Sequence, residues 1–425
     1  MWLRRPQRWH GALVRRGDGT SRSRYLIRDY RGRFVRKSLT YNYDSVAQEV
    51  VCAEDAINSL TAILDRLGGT RAMVICGPTI LDKSDVVRRV QSSLGDCCVG
   101  LFSGVLPHSP VHTLGEAMEL VADLKPDALV SVGGGSTHDT TKGIATLLGE
   151  GGKIHDHQVI FEPPDKIVMP HLSKDRVPII AVSTTMGAAE LSRGAGFADR
   201  DLGRKISVAD PATIPRSIVI DGQALATTPM AILLSTAMGQ LRVAIESVYS
   251  AKHNPISDSL ALGAISMLVE NLPHCPELEV DRLLNTKTAA AMASLGSVGG
   301  GINTATAHHV GGIFDVPHGD ANAIMLPHSM RFNADASADR QALIAQAMGI
   351  NTRGMNDHEA ALSAADAVED LRNALGLPGR LRDVGVPEEG LELIAAATLK
   401  DRSLATNPTP VSDAGPIMQV LRSSW

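Results

Sequence analysis

The sequence predicts an N-terminal α/β domain built on a parallel sheet, followed by an all-helical C-terminal domain. Three short apolar runs rich in β-branched residues predict buried parallel strands at 72–76, 128–132 and 177–182. Between the first two runs, residues 114–124 repeat apolar side chains at helical spacing and predict a connecting helix. Strands that alternate with helices in this way form parallel sheets in α/β proteins.

The second half of the chain carries long Ala-rich stretches whose apolar residues recur at helical spacing. Proline and glycine separate these stretches, as the ends of helices require. We expect helices at 231–250, 256–271, 281–294, 339–348, 358–375 and 389–396. The chain therefore divides into an Arg-rich extension (1–40), an α/β domain (41–222) and a helical domain (223–425).

The composition is that of an ordinary globular protein, with 44% hydrophobic and 20% charged residues among 425. A net charge of −5 gives no general electrostatic reason to bind nucleic acid or membranes, and we expect neither as a partner. No apolar run approaches the roughly 18 residues of a membrane span. Five cysteines, an odd number without a CxxC pair, predict reduced thiols in a cytoplasmic protein.

The Arg-rich extension has eleven arginines before Lys37 and only two acidic residues, Asp18 and Asp29. It lacks the apolar core of a secretory signal. Its composition alone is compatible with a transit peptide, with a polyanion-binding arm or with a solvated extension. Alternating residues on both sides of Arg31-Gly32 favour an added β-hairpin over the first two interpretations.

A glycine run follows the second predicted strand and opens a predicted helix, in the segment Gly133-Gly134-Gly135-Ser136. Glycines let the backbone approach a pyrophosphate, and a helix N-terminus offers it free N–H groups and partial positive charge. A flexible turn is the alternative interpretation. The run is not the GxGxxG fingerprint of a standard Rossmann dehydrogenase, which is therefore disfavoured.

Four segments resemble landmarks of the iron-containing (group III) alcohol dehydrogenase superfamily, in that family's order. GGGSTHDTTK at 133–142 is similar to its GGGSxxDxxK loop, and STTMGAAE at 183–190 is similar to its TTxGTxxE. AHHVGGIFDVPHGDANAIMLPHSMRFNAD at 307–335 resembles its histidine-bearing signature, and NPTP at 407–410 resembles its NPRP. The resemblance implies a dehydroquinate synthase-like fold, with a Rossmann-like first domain and a nicotinamide cofactor in the cleft between the two domains.

The same resemblance implies which residues contact NAD(P)H. Matching positions for the cofactor are Gly133, Gly134, Gly135, Ser136, Asp139, Thr184, Thr185 and Lys205. Gly77 stands where NAD-preferring members carry an aspartate on the adenosine ribose. Without that carboxylate a 2′-phosphate is not repelled, so NADPH is permitted as well as NADH.

Members of this superfamily hold iron or zinc with one aspartate and three histidines. The matching positions here are Gly239, Val243, Thr304 and His318. A catalytic divalent cation needs about three protein ligands and an open position, and glycine and valine have no donor atom. No aspartate or histidine lies between residues 223 and 253, so no shift of register restores the pair. We therefore predict that this site holds no metal.

His308 and His318 are the candidate catalytic residues, because protonated imidazole can donate to the alkoxide that forms during carbonyl reduction. His309 should point elsewhere if this segment is helical. Arg242 lies on the helix that has lost its ligands. It is either a bidentate binder of an anionic substrate or a surface arginine.

His108-Ser109-Pro110 and residues 244–265 resemble segments of maleylacetate reductases, a branch of the superfamily that works without a tightly held metal. This resemblance implies a metal-independent NAD(P)H-dependent oxidoreductase that reduces a small carbonyl or unsaturated keto-acid substrate, and family habit suggests a homodimer. The ligand loss also motivates two alternatives. One is a non-redox biosynthetic enzyme, such as a lyase, cyclase or isomerase, that has repurposed the cleft, and the other is a silent binding partner.

Overall fold

A computed structural model describes residues 26–28, 34–36, 48–162, 166–199 and 204–425. The chain separates into two compact units, residues 1–44 and 45–425. In the first unit, strands β1 (Leu26–Arg28) and β2 (Phe34–Arg36) pair antiparallel. This pairing confirms the predicted hairpin. The other predictions for the Arg-rich extension fall outside the described residues.

The second unit contains a six-stranded sheet in the order β3-β12-β9-β6-β4-β5, with every neighbouring pair parallel. Two-stranded antiparallel pairs, β7 with β8 and β10 with β11, lie apart from it. The strands are β3 (Glu49–Ala53), β4 (Ala72–Cys76), β5 (Cys98–Phe102), β6 (Ala128–Gly133), β7 (Ile160–Glu162), β8 (Lys166–Val168), β9 (Ile179–Ser183), β10 (Gly194–Asp199), β11 (Arg204–Ala209) and β12 (Ser217–Asp221).

Fifteen α-helices complete the described part of the second unit. Those among the strands are α1 (Leu60–Arg66), α2 (Pro78–Lys83), α3 (Val86–Leu94), α4 (Val111–Leu124) and α5 (Gly135–Glu150). Those after the sheet are α6 (Gly222–Ala226), α7 (Met230–Tyr249), α8 (Pro255–Asn271), α9 (Val280–Leu295), α10 (Ile302–Phe314), α11 (His318–Phe332), α12 (Ala334–Ala347), α13 (Asp357–Ala374), α14 (Gly390–Thr398) and α15 (Ala414–Ser424).

Helices cover both faces of the sheet, which explains why its central strands are continuously apolar. Successive side chains of a strand point to opposite faces. Accordingly Val74 packs in the cluster formed with α1 and α3, whereas Met73 and Ile75 pack in the cluster formed with α4 and α5. The predicted α/β domain with a parallel sheet and the helical second domain are confirmed.

The three predicted strands and the predicted helix before β6 are all present. A further strand, next to the predicted domain boundary, was not predicted. Residues 217–221 lie in the segment where the sequence suggested only a domain boundary, yet they form β12, which lies between β3 and β9 in the sheet and is fully buried. Asp221 ends this strand, accepts two hydrogen bonds from Arg89 at 3.1 and 2.9 Å, and caps α6 through the Ala224 N–H. The Ile57 N–H donates to the same carboxylate at 2.9 Å, so four donors hold this buried side chain at the predicted boundary.

The six predicted C-terminal helices are present as α7, α8, α9, α12, α13 and α14. The helices α10 and α11 were not predicted from periodicity. Both are buried on nearly all sides over much of their length, so no polar face marks a helical repeat. By length and hydropathy α7 would pass as a membrane span, but most of it is buried and it packs in the core of the helical domain.

Candidate active site

The glycine run between β6 and α5 forms a turn that only glycine fits at its first two positions. Gly133 has φ +151°, and a Cβ added there would clash with the Thr137 hydroxyl. A Cβ on Gly134 would lie 2.9 Å from Cγ2 of Thr185, whereas one on Gly135 would come no closer than 3.7 Å to its neighbours. The turn itself therefore requires the first two glycines.

The N-terminus of α5 is left open by this turn. Gly134 is the N-cap and offers no side chain, and its carbonyl accepts from the N–H groups of Thr137 and His138 at 3.0 and 3.1 Å. The N–H groups of Gly135 and Ser136, in the first turn, have no intrahelical partner. Free donors and the helix dipole at one spot can hold the pyrophosphate of a dinucleotide.

Ser136 joins this turn to the segment that carries His108. Its hydroxyl accepts a hydrogen bond from the His108 N–H at 3.1 Å, and its carbonyl accepts one from the Ser109 hydroxyl at 2.9 Å. His108 and Ser109 have φ of +63° and +49°, a strained conformation for residues with side chains. Because the Ser136 hydroxyl accepts this hydrogen bond, its own proton is still available to donate to another acceptor.

Thr184 and Thr185 follow the neighbouring strand β9 and border the same turn. The Thr184 N–H donates to the Gly133 carbonyl at 3.0 Å, and the Thr184 carbonyl accepts from the Thr228 hydroxyl at 2.5 Å. The parallel strands β6 and β9 thus end side by side, and their C-terminal ends form one rim. A rim of this kind is where open α/β sheets bind ligands.

Asp139 lies one turn into α5 and fastens that helix to β10, because its Oδ2 accepts from the Gly196 N–H at 3.0 Å. Burial raises the pKa of this carboxyl, and Lys142 and Lys205 oppose the shift. Lys205 is exposed on β11, where its ammonium passes beside Gly196. Both residues therefore lie near the predicted cofactor loop, and their contacts with a cofactor stay predictions.

The structure brings the two candidate catalytic histidines together. The rings of His308 on α10 and His318 at the start of α11 stack with centroids 5.6 Å apart and planes 14° from parallel. Nδ1 of His308 is hydrogen-bonded to Oδ2 of Asp401 at 2.9 Å, and the His308 side chain is 46% exposed. Asp401 thus orients the ring and leaves Nε2 free for a substrate.

Asp401 also lies beside His309. The segment is helical, as the expectation that His309 points elsewhere assumes, and Nε2 of His309 lies 3.6 Å from the same Asp401 carboxylate. The carboxylate lies between the two successive ring positions of α10. Asp401 is held in place because its Oδ1 accepts from the Ser403 N–H at 2.8 Å.

His108 and Asp315 connect the α/β domain to the helical domain at this cleft, with 3.3 Å between Nε2 and Oδ1. The His318 side chain is exposed at its surface, although much protein lies around it at longer range. The resulting desolvation of the ring lowers the pKa of His318 well below 6.5. The charges of Arg242, His308, Lys205 and His108 lower this pKa further. Groups from both domains therefore converge on His318.

Arg242 of α7 points into the protein towards Thr304 and Glu246, so its interpretation as a surface arginine is wrong. Its side chain is 12% exposed, and its Nη1 donates to the Thr304 hydroxyl at 2.6 Å and to Glu246 Oε2 at 3.4 Å. The Thr304 hydroxyl in turn donates to Glu246, which also accepts the Thr304 N–H at 3.2 Å. A fully buried carboxylate thereby fixes the guanidinium.

Comparison with known proteins shows which family the chain belongs to. Residues 47–222 match the model described as iron-containing alcohol dehydrogenase, and residues 233–425 match the C-terminal model of the same family. The chain is 30% identical over 375 residues to lactaldehyde reductase of Escherichia coli strain K12. The matched region covers 87% of this chain and 96% of that protein. This chain belongs to the iron-containing alcohol dehydrogenase family.

Two further family members bear on the site. Maleylacetate reductase of Burkholderia cepacia is 27% identical over 375 residues, covering 87% of this chain and 93% of that protein. The crystal structure of a 1,3-propanediol oxidoreductase superposes with a TM-score of 0.84 at 28% identity, covering 91% of this chain and all of that one. As a member of this family the chain is an oxidoreductase of the NAD(P)-dependent alcohol dehydrogenase type.

The family's metal does not fit the residues present at its position here. The donor set consists of one imidazole, on His318, and one hydroxyl, on Thr304, which already bonds Arg242 and Glu246. Across residues 48–162, 166–199 and 204–425 no cluster of three histidine, cysteine, aspartate or glutamate side chains could hold a metal ion. Gly239 has no side chain, so the space beside it contains no metal-binding atom.

Sequence reasoning missed a buried charge cluster behind the cofactor loop. Lys287 of α9 pairs with Glu190 at 2.6 Å, and Nε2 of His138 lies 3.7 Å from the same carboxylate. Nδ1 of His138 bonds the Ser131 hydroxyl at 2.6 Å. Desolvation lowers the pKa of His138 to about 4. The motifs GGGSTHD and TTMGAAE contained both His138 and Glu190, but nothing in them indicated the lysine from the other domain.

Proposed function

We propose that this protein is a metal-independent NAD(P)H-dependent reductase of a small carbonyl compound or unsaturated keto acid. One contrast carries the proposal: the glycine turn of the cofactor loop is intact, whereas glycine, valine and threonine stand at the metal-ligand positions. The resemblance to maleylacetate reductases supports it, since a relative with that name covers 87% of this chain.

The residues of the cleft support a division of labour. Gly133, Gly134, Ser136 and the first turn of α5 bind the pyrophosphate, and bound NAD(P)H supplies the hydride. His308 acts as the acid in its doubly protonated form, in which Nδ1–H donates to Asp401 and Nε2–H is the proton offered to the substrate. The proton passes to the carbonyl oxygen as the carbon is reduced. General acid catalysis of this kind contributes roughly 10²–10⁴-fold to the rate.

Titration with NADH and NADPH, followed by the fluorescence of the bound nicotinamide, tests the first half of this proposal. Oxidation of the bound cofactor by a panel of aldehydes, ketones and keto acids tests the second half. We expect micromolar binding, turnover that survives dialysis against a chelator, and purified protein with far less than one equivalent of iron or zinc. Absence of binding, or activity that disappears with the chelator and returns with a divalent metal, would contradict it.

The replaced ligands also motivate a second candidate, a non-redox lyase, cyclase or isomerase that retains a nicotinamide only as a structural group. The same titration separates the two candidates. Tight cofactor binding with no oxidation by any member of the panel would favour the non-redox enzyme, whereas stoichiometric oxidation with product formation would exclude it.

We further propose a cytoplasmic homodimer that binds only small molecules. The strand β3 lies at the edge of the sheet with its outer side unpaired in the described part of the chain, and Val50 on it is 46% exposed. Such an edge favours pairing with a second copy. Light scattering coupled to gel filtration should give twice the 45.0 kDa of one chain, and the mass of one chain would contradict the proposal.

A further inference from the structure

The strongest unexplained feature of the candidate active site is the guanidinium of Arg242, which lies beside the positions that hold a metal cation in the family. Arg242 lies three residues after Gly239 and four before Glu246, so all three share one face of α7. The glycine leaves space on that face, because apart from its two chain neighbours and the backbone of its own helix no atom lies within 4 Å of where a Cβ would be. The guanidinium is thereby free to turn towards Thr304 and His318, the third and fourth positions of the metal site.

The anchoring of Arg242 uses only one of its three nitrogens. The hydrogen bonds to Thr304 and Glu246 are both donated by Nη1. Glu246 itself is fully buried, and the Thr304 N–H and hydroxyl both donate to its carboxylate, so this partner of Arg242 is fixed. The anchor therefore fixes the plane of the guanidinium and leaves the edge formed by Nε and Nη2 to face other partners.

Nε of Arg242 is buried and has no hydrogen-bond partner in the part of the chain that the structure describes. A buried donor left in this state has lost its hydrogen bonds to water without gaining one to protein, which is unfavourable. The Nε and Nη2 edge is the one with which arginine binds oxygen acceptors bidentately. An oxygen atom of a bound molecule would therefore satisfy a donor that the protein leaves open.

We propose that Arg242 takes over the electrostatic role of the missing cation, by donating its Nε–H and Nη2–H to the carbonyl oxygen of the substrate. This inference rests on the proposed reductase function and adds the electrophile to it. During reduction the hydride from NAD(P)H forms the new C–H bond, and the π electrons of the C=O bond move to oxygen. Arg242 stabilises that alkoxide until His308 protonates it, and NAD(P)⁺ is left as the oxidised product.

The first test compares Arg242→Met and Arg242→Lys with the exposed-arginine control Arg353→Met. Loss of one oxyanion donor costs roughly 10²–10³-fold in kcat, so we expect that loss in Arg242→Met with the Kd of NAD(P)H changed less than twofold. Lysine should recover only a small part, since it lacks the bidentate edge. In Arg242→Ala, millimolar guanidinium added to the assay should restore activity at least tenfold, whereas it should not affect the control.

The second test needs no activity. Gly239→Asp with Val243→His places three ligands, with His318, around the guanidinium while it keeps the Thr304 and Glu246 anchor. Since a fixed positive charge repels a cation, we expect this double variant to bind Zn²⁺ at least tenfold more weakly than the same variant carrying Arg242→Met. Melting temperatures check that both variants fold.

The outcomes are distinct. If the wild-type protein neither binds nor oxidises NAD(P)H, the proposed function fails and this inference fails with it. If the wild type turns over while Arg242→Met retains kcat within fivefold, only the role of Arg242 is overturned. Equal Zn²⁺ affinity with and without Arg242 would likewise overturn the placement of its charge in the metal position.

Discussion

The two ends of the cleft are built in different ways, and only one of them has kept the pattern of its family. The cofactor end is made of backbone: a glycine turn, the N–H groups of α5 and the neighbouring end of β9. The catalytic end is made of side chains, and at the positions that hold a metal in the family it carries Gly239, Val243 and Thr304. A backbone site survives as long as the fold survives, whereas a side-chain site can be replaced by a few substitutions.

The replacement at the catalytic end is not a simple deletion. Arg242 and Glu246 form a bonded unit with Thr304, and Asp401 orients His308 on the other side of His318. An iron or zinc ion combines ligand geometry and charge in one group, whereas in the proposed mechanism an arginine supplies the charge and a histidine supplies the proton. The comparison therefore predicts that substitutions at the two ends will have separable effects on cofactor affinity and on turnover.

The largest separable effect is expected at the catalytic end. In His308→Ala we expect kcat to fall roughly 10²–10⁴-fold, because the general acid is lost. The Kd of NAD(P)H and the melting temperature should change little, since nearly half of this side chain is exposed. Stopped-flow turnover and fluorescence titration measure the two quantities, with the exposed His358→Ala as control. A large drop in melting temperature would instead mark His308 as a packing residue.

At the cofactor end we expect the opposite result, in which a substitution weakens the binding of NAD(P)H. In Gly133→Ala we expect NAD(P)H affinity to fall about 100-fold, which corresponds to the upper part of the 1–3 kcal/mol that a strained residue costs. The reason is φ of +151° and a Cβ that clashes with Thr137. Gly115→Ala, at an exposed helical position with open space around it, is the matched control. Unchanged affinity in Gly133→Ala would mean that the cofactor does not use this turn.

The same contrast explains how much of the molecule the sequence could predict. The strand β4 was predicted residue by residue, because an apolar β-branched run ends at Gly77-Pro78. The glycine loop was predicted because its function depends on a few consecutive residues after a strand. Both are local patterns, for which spacing along the chain equals spacing in the structure.

The features that escaped prediction depend on distant parts of the chain. Asp401 lies 93 residues from His308 along the sequence, and Thr304 lies 62 residues from Arg242, so no spacing rule links either pair. The helix α10, which carries two of these residues, is buried around most of its circumference and has no amphipathic repeat. A buried histidine such as His138 also leaves no trace in the sequence that distinguishes it from an exposed one.

His138 offers a stability test of the junction behind the cofactor loop. Its pKa is about 4 in the folded protein, against 6.5 for an ordinary histidine, so the unfolded chain takes up a proton first as the pH falls. Stability should therefore be unaffected by His138 above about pH 6.5 and should decline between pH 6.5 and 4.

The size of this decline follows from linkage. Between pH 7.5 and pH 5, titration of His138 should remove about 2 kcal/mol of unfolding free energy. In His138→Gln urea denaturation should show an acid-induced loss smaller by that amount, whereas the exposed His358→Gln should show the wild-type loss. Equal losses in both variants would mean that His138 is protonated in the folded state.

The smallest expected effect concerns the adenosine end of the cofactor. Gly77 has no side chain that would discriminate between NADH and NADPH, so the test is whether an aspartate introduced there disfavours NADPH. Gly77 caps α2 directly after β4, and a Cβ there would lie 3.1 Å from the Val105 carbonyl, so a larger residue fits with a small shift. In Gly77→Asp we expect NADPH to bind about fivefold more weakly than to Gly77→Asn, as about 1 kcal/mol of repulsion between a carboxylate and the 2′-phosphate requires.

Gly77→Asn is the decisive control for this variant, because asparagine has the shape of aspartate without its charge and meets the same carbonyl. NADH affinity should be alike or slightly better in the aspartate variant, since a carboxylate accepts hydrogen bonds from ribose hydroxyls. The effect should weaken at high salt, where exposed charges are screened. If the two variants bind NADPH equally, the adenosine ribose lies away from Gly77, and the cofactor would run along the sheet edge in a different path from the one that the glycine turn indicates.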